Sequence, residues 1–246
     1  REGLRAAVAA LHALEDEIMP VLEREVQIGR ETRLLCETAA QVPVDLPGVE
    51  GVVLGSELQR HERRLEAVDV AQAGQPVIEQ LRDRSQCSSH LAIRDGRDVI
   101  YIARVSAAGS QINQVSVGTR LPVHQTSLGR MLLTSATRSE FEQLYPDAQL
   151  PGNAPGTPAD RETLWQMVQQ DKARGYVIGE SFFRHGISSI VYPIFNREQR
   201  VEAVVSIMVP SDEIPKADRE RLRMEVRDAA EKISGFLGAP PQANVG

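Results

Sequence analysis

The chain has 246 residues, 41% apolar and 25% charged, which is the profile of a water-soluble globular protein long enough for one large domain or two ordinary ones. No apolar run approaches the ~20 residues of a membrane-spanning helix, and the acids in REGLRAAVAALHALEDE are unlike a signal peptide. A net charge of −6 argues against indiscriminate nucleic-acid binding but leaves room for a local basic face; Cys36 and Cys87 form neither a metal spacing nor a disulfide framework, which suits a reduced cytoplasm.

Leu4, Val8, Leu11, Leu14 and Ile18 recur at spacings of three and four, one helical stripe. Pro20 suits the first turn of a second helix, and RETRLLCETAAQ reads as a third after the break at Ile28-Gly29. VPVDLPGVEGVVLG has the Pro, Gly and Val content of a hairpin or wing. Three short helices and a wing within residues 1–55 outline a winged helix-turn-helix, mainly α. SELQRHERRLEAVDVAQAG then reads as a connecting helix over 56–75 with Leu58, Leu65, Val68 and Ala71 on one side, and Pro76 as its end and the start of another.

From about residue 88 the texture is α/β. HLAIRDGRDVIYIARV reads as two strands around Asp95-Gly96, the strongest hairpin signal in the chain, and QINQVSVG as a third strand. In LPVHQTSLGRMLL a proline-bearing strand end runs into a helix whose apolar face is Leu128, Met131 and Leu132. SEFEQLY reads as helical, and DRETLWQMVQQDKARG as an amphipathic helix closed by Gly175. ISSIVYPIF and VEAVVSIMV are strands; a four-residue loop over 196–199 pairs Phe195 with Arg200, and so Ser189 with Ser206 and Ile187 with Met208. ADRERLRMEVRDAAEKISGFLG is a helix with Leu222, Val226, Ala229, Ile233 and Leu237 on one stripe, and residues 241–246 are a loose tail.

Two features invite a ligand. The helix start at 125–129 offers backbone N–H groups to an anion such as a carboxylate; the plainer alternative is that Thr126 or Ser127 caps it. Ser189 and Ser206, small hydroxyls in apolar strands, make a concave polar site if they face each other. Arg104 and Arg184 could meet an anion bidentately or pair with local acids. His124 near Ser127 suggests a nucleophile, but nothing orients the histidine and no G-x-S-x-G or S-x-x-K motif is present, so no catalytic residue, cofactor or metal is assigned.

G-x-x-LPVH-x-x-x-x-G-x-x-LL over 118–133, RGY over 174–176, E-x-x-x-x-x-GISSIVYPIF over 180–195 and VVSIMVP over 204–210 together resemble the effector domain of IclR-type transcriptional regulators. The resemblance implies an α+β chain: a winged helix-turn-helix over 1–55, a linker helix over 56–75, and a GAF-like α/β domain with a curved antiparallel sheet over 76–240. It also implies operator DNA as a partner, a homodimer or dimer of dimers, and a small carboxylate effector. Carried over by position, the effector contacts are Ser127, Leu128 and Gly129 at the turn, Leu121 as an apolar wall, and Ile187, Ser189, Ser206 and Met208 on the strands. Gly179, with Glu180 beside it, stands where some relatives carry an acid. The recognition helix corresponds to IGRETRLL, with Gly29, Arg30, Thr32 and Arg33, and the positive charge for DNA would be concentrated at Arg24, Arg30 and Arg33. Residues 1–55 hold 5 Arg against 10 Asp and Glu, an unusual balance for a reader of duplex DNA, whose phosphates supply much of the affinity.

Overall fold

The computed structural model describes residues 51–108, 115–152, 157–180, 187–210 and 216–241, with side chains from residue 67 onward except at 180, 210, 216 and 217. Arg24, Gly29, Arg30, Thr32, Arg33 and Arg184 lie outside that set. Residues 67–246 form a compact unit.

The elements are α1 (Gly51–Ser85), β1 (Ser88–Asp95), β2 (Asp98–Val105), β3 (Arg120–Pro122), a 3₁₀ turn at Val123–Gln125, α2 (Ser127–Leu132), a 3₁₀ turn at Leu133–Ser135, α3 (Arg138–Leu144), α4 (Arg161–Arg174), β4 (Val177–Glu180), β5 (Ile187–Phe195), β6 (Val201–Pro210) and α5 (Lys216–Phe236). All six strands join one sheet in the order β3-β2-β1-β6-β5-β4, with every neighbouring pair antiparallel. The sheet curls, helped by bulges at Leu91/Ala92 and Ile194/Phe195, which bend strands and increase local twist.

Both faces are covered, so the strands are apolar on both sides. On the outer face Val70, Val77, Ile78 and Leu81 of α1 and Leu222, Val226, Ala229 and Ile233 of α5 pack against Leu91, Ile190, Ile194, Val205 and Ile207. On the inner face Leu128, Met131, Leu132, Phe141, Leu164 and Val168 of the shorter helices cover Ala92, Tyr101, Val177, Val191 and Val204. Each fully buried large apolar side chain contributes about 1.5–3 kcal/mol, so neither face is dispensable.

Several sequence expectations are corrected. α1 runs through Pro76 as one helix, because Val77, Ile78 and Leu81 just beyond it are fully buried and hold the chain helical despite the lost N–H. Residues 51–54, read as part of the wing, belong to its first turns. Val68 is 51% exposed, and the buried stripe instead passes through Val70, Val77, Ile78 and Leu81. The β1–β2 loop is Gly96-Arg97, one residue later than expected, with Gly96 at φ 59°. Of the third strand expected over 111–118, residues 111–114 lie outside the described residues and Val117 and Gly118 form a turn; the strand that pairs with β2 is Arg120–Pro122.

The β5–β6 register differs most. Phe195 pairs with Val201, Ser189 with Met208, Ile187 with Pro210 and Val191 with Ser206. The Asn196 side chain organises the loop by accepting from the backbone N–H groups of Glu198 and Arg200 at 3.1 and 3.0 Å, and Glu202 bulges out of the ladder. Ser189 and Ser206 are therefore not opposite each other. A shift of two residues keeps every side chain on its face, so they remain diagonal neighbours there.

Candidate functional site

Backbone pairing lays two rows of residues across the inner face. Gly179 of β4, Ser189 of β5, Met208 of β6 and Ser88 of β1 form the first. Val177, Val191, Ser206, His90 and, on β2, Arg104 form the second. Successive rows lie two residues apart along each strand, or ~7 Å.

At the β4 end, the turn before α2 sits on the first row. A side chain at Gly179 would run into Ser127 Oγ, so the missing side chain is what lets Ser127 approach the sheet. Ser189 Oγ donates weakly to the Gly179 carbonyl at 3.4 Å, and Ser127 and Ser189 are each 7% exposed. Glu180 pairs with Ser188, one position out of this row. Leu121 and Leu128 wall the inner core, Met208 packs partly buried against it, and Ile187 is buried at the row's edge.

The turn is well capped. Thr126 Oγ1 accepts from Gly129 N at 2.8 Å, so the capping alternative holds for Thr126. α2 is six residues long, and a helix so short carries little macrodipole. Gly129 has no room for a β-carbon, which would strike the Val123 carbonyl; its part is to let the helix lie on the preceding 3₁₀ turn. Beneath α2, Arg130 Nε donates to Asp171 Oδ2 at 2.7 Å in a pair whose side chains are 14% and 6% exposed.

His124 does not address Ser127. Its Nε2–H donates to the Pro151 carbonyl at 2.7 Å, and the ring meets Tyr145 edge-on with centroids 6.0 Å apart. It fastens the loop at Pro151.

The residue that sequence reasoning missed is His90. It is fully buried, both ring nitrogens lack hydrogen-bond partners among the described residues, and its ring stands edge-on to Tyr101 with centroids 5.6 Å apart. Leaving a buried polar group unpaired costs about 1–3 kcal/mol, and such a group in a native fold calls for a reason. Burial first, and the charge of Arg104 second, push the imidazole pKa down to about 3, so it is neutral, with one donor and one acceptor nitrogen. Arg104 donates to the Val115 carbonyl at 2.6 Å and to Ser106 Oγ at 2.9 Å, while its buried Nε has no partner.

A separate groove of about 540 Å³ lies on the outer face between the end of α4, β5 and α5, lined by Tyr176, Tyr192, Arg174, Arg223 and Arg227 among others. Its arginines are already paired with Asp171, Glu220 and Glu231, and none of the candidate effector residues lines it. Among the described residues no group of three or more His, Cys, Asp or Glu could hold a metal ion, and no helix is long and apolar enough to cross a membrane.

The chain is 28% identical over 174 residues to the HTH-type transcriptional regulator XynR of Escherichia coli, covering 71% of this chain and 69% of that protein. It is 27% identical over 169 residues to the Pca regulon regulatory protein of Pseudomonas putida, covering 68% of this chain and 58% of the relative. Among solved structures, an IclR homolog from Microbacterium hydrocarbonoxydans complexed with 4-hydroxybenzoate superposes with a TM-score of 0.62 at 29% identity, over 71% of this chain and 70% of that one. Residues 62–235 match the family described as bacterial transcriptional regulator IclR C-terminal. The chain belongs to that family of bacterial transcriptional regulators.

Proposed function

We propose that this protein is a DNA-binding transcriptional regulator whose operator affinity is switched by a small organic acid, aliphatic or aromatic, held on the inner face of the sheet. The observation that carries the reading is the convergence of Ser127, Ser189 and Ser206 on one apolar-walled face, the arrangement expected of a ligand site with a few orienting polar groups. The 4-hydroxybenzoate in the Microbacterium homolog supports the ligand class. Leu121, Leu128, Ile187 and Met208 supply the apolar walls, and Gly179 the space into which Ser127 projects.

The switch is a population shift. The acid biases the protein by as much as its affinity differs between two arrangements of the regulator, typically ~1–3 kcal/mol. Arg24, Gly29, Arg30, Thr32 and Arg33 are the proposed DNA contacts, with the protein working in the cytoplasm as a homodimer or dimer of dimers. The acidic balance of residues 1–55 favours one alternative: a sensory module acting through protein partners.

A thermal-shift screen of aliphatic and aromatic acids, repeated on Ser189→Leu, tests the pocket; a hit that stabilises both proteins equally sinks it. A gel shift with the protein's own upstream DNA at low salt tests the operator, and no shift there favours the alternative.

A further inference from the structure

We infer that His90 and Arg104 form the anion-recognising end of the inner-face effector site, with Arg104 taking the carboxylate of an organic acid and the single N–H of the neutral His90 donating to one of its oxygens. The inference rests on the effector reading above and assigns the ligand's orientation within it.

Three observations carry it. The first is placement: His90 and Arg104 are direct cross-strand partners, and Ser206 lies opposite His90 on the other side, so cation, imidazole and hydroxyl stand in one row. The second is that His90 is fully buried with neither ring nitrogen paired, whereas His124 spends Nε2 on the Pro151 carbonyl. The third is charge. Among the described residues Arg104 has no carboxylate within ion-pair distance, and its two hydrogen bonds go to neutral oxygens. Arg120, Arg130, Arg138, Arg200 and Arg223 each have an acid partner, and Arg97 and Arg161, which like Arg104 donate to backbone carbonyls, are not cross-strand partners of a buried unpaired ring. A partly buried guanidinium held only by neutral acceptors among the described residues is preorganised for an anion.

This end competes better for a carboxylate than the turn before α2. The turn offers a six-residue helix, and Thr126 already occupies the N–H of Gly129. Ser127 and Ser189 are then left for a neutral polar substituent. The ligand class is accordingly a monocarboxylate bearing a hydroxyl or carbonyl at its far end, carboxylate toward β1 and β2.

The test uses the full chain with 4-hydroxybenzoate, a panel of aliphatic hydroxy and oxo monocarboxylates, and the uncharged methyl ester of each acid that binds, measured by titration calorimetry. Arg104→Gln and His90→Leu are expected to weaken the acid at least about tenfold, with the ester changed far less by Arg104→Gln. Wild-type affinity for the acid in both variants, with binding lost in Ser189→Leu, overturns this inference and leaves the effector reading standing. Binding that none of the three variants alters, or no binding of any acid by wild type, overturns both. Unliganded melting gives an independent reading: with no partner to lose, His90→Leu melts at or above wild type, and a clear drop marks His90 as structural and overturns its assignment.

Discussion

Gly179 has no side chain because Ser127 Oγ fills the place where its β-carbon would be. The two residues belong to a strand and a turn about fifty positions apart, and the space one gives up is used by the other. Gly179→Ala is expected to push the Ser127 hydroxyl into another rotamer at a cost of about 1–2 kcal/mol, within the usual range for overpacking. Acid binding should suffer more than stability. Ser127→Gly in the same background should restore the melting temperature but not the affinity, which paired melting and calorimetry would show.

The Arg130–Asp171 pair is buried enough to be sensitive to losing one member. Arg130→Met leaves Asp171 with Arg174 alone, at 3.4 Å and on an arm 46% exposed, and should cost about 3 kcal/mol. Replacing both, as Arg130→Met with Asp171→Leu, should recover most of that loss. Urea unfolding of the two variants gives the comparison, and a double variant weaker than the single one would contradict it.

Acid sensitivity follows from His90. Its pKa falls from an ordinary 6.5 to about 3 in the fold, so the unfolded chain binds the proton more readily over that interval. Stability is complete above pH 6.5 and declines as pH falls toward 3, at about 1.4 kcal/mol per pH unit for this one group. The stability difference between His90→Leu and wild type should therefore grow in the variant's favour below pH 6.5. Parallel profiles for the two proteins would show that His90 is not buried as a neutral ring.

The turn before α2 carries two substitutions of unequal weight. Thr126→Ala removes the cap on Gly129 and should cost about 1 kcal/mol. Gly129→Ala meets the backbone of Val123, which cannot rotate away, and should cost about 3 kcal/mol or more. Thermal melts rank them, and equal losses would contradict the distinction.

What could be read from the sequence was what periodicity and local chemistry encode. The stripe Leu222–Val226–Ala229–Ile233, the Gly175 stop and the apolar strands from 187 and 201 are all local signals, and they recur in the fold. The order of LPVH, RGY and GISSIVYPIF pointed to the right family. The two bulges were not legible. One sets Ile102 outside the β1–β2 ladder and so brings Arg104, rather than Ala103, opposite His90. The other supplies one residue of the shift that moves Ser206 from Ser189 to Val191, and the longer loop that pairs Phe195 with Val201 rather than Arg200 supplies the second. Nothing in the alternation of a strand announces an extra residue, so the His90–Arg104 end could not be assembled from spacing alone. Pro76 misled for a related reason: tertiary burial on either side of it outweighs a local preference.

The rows across the sheet also act as a ruler. Ser189 and His90 stand on strands separated by β6, two strand spacings or roughly 10 Å between backbones, and are offset by one row. An acid of two or three carbons can reach one end or the other but not both, whereas a ring or a longer chain bridges them. Under the proposed effector reading, length selects the ligand as much as functional group does, and the sheet fixes that length with its own hydrogen bonds.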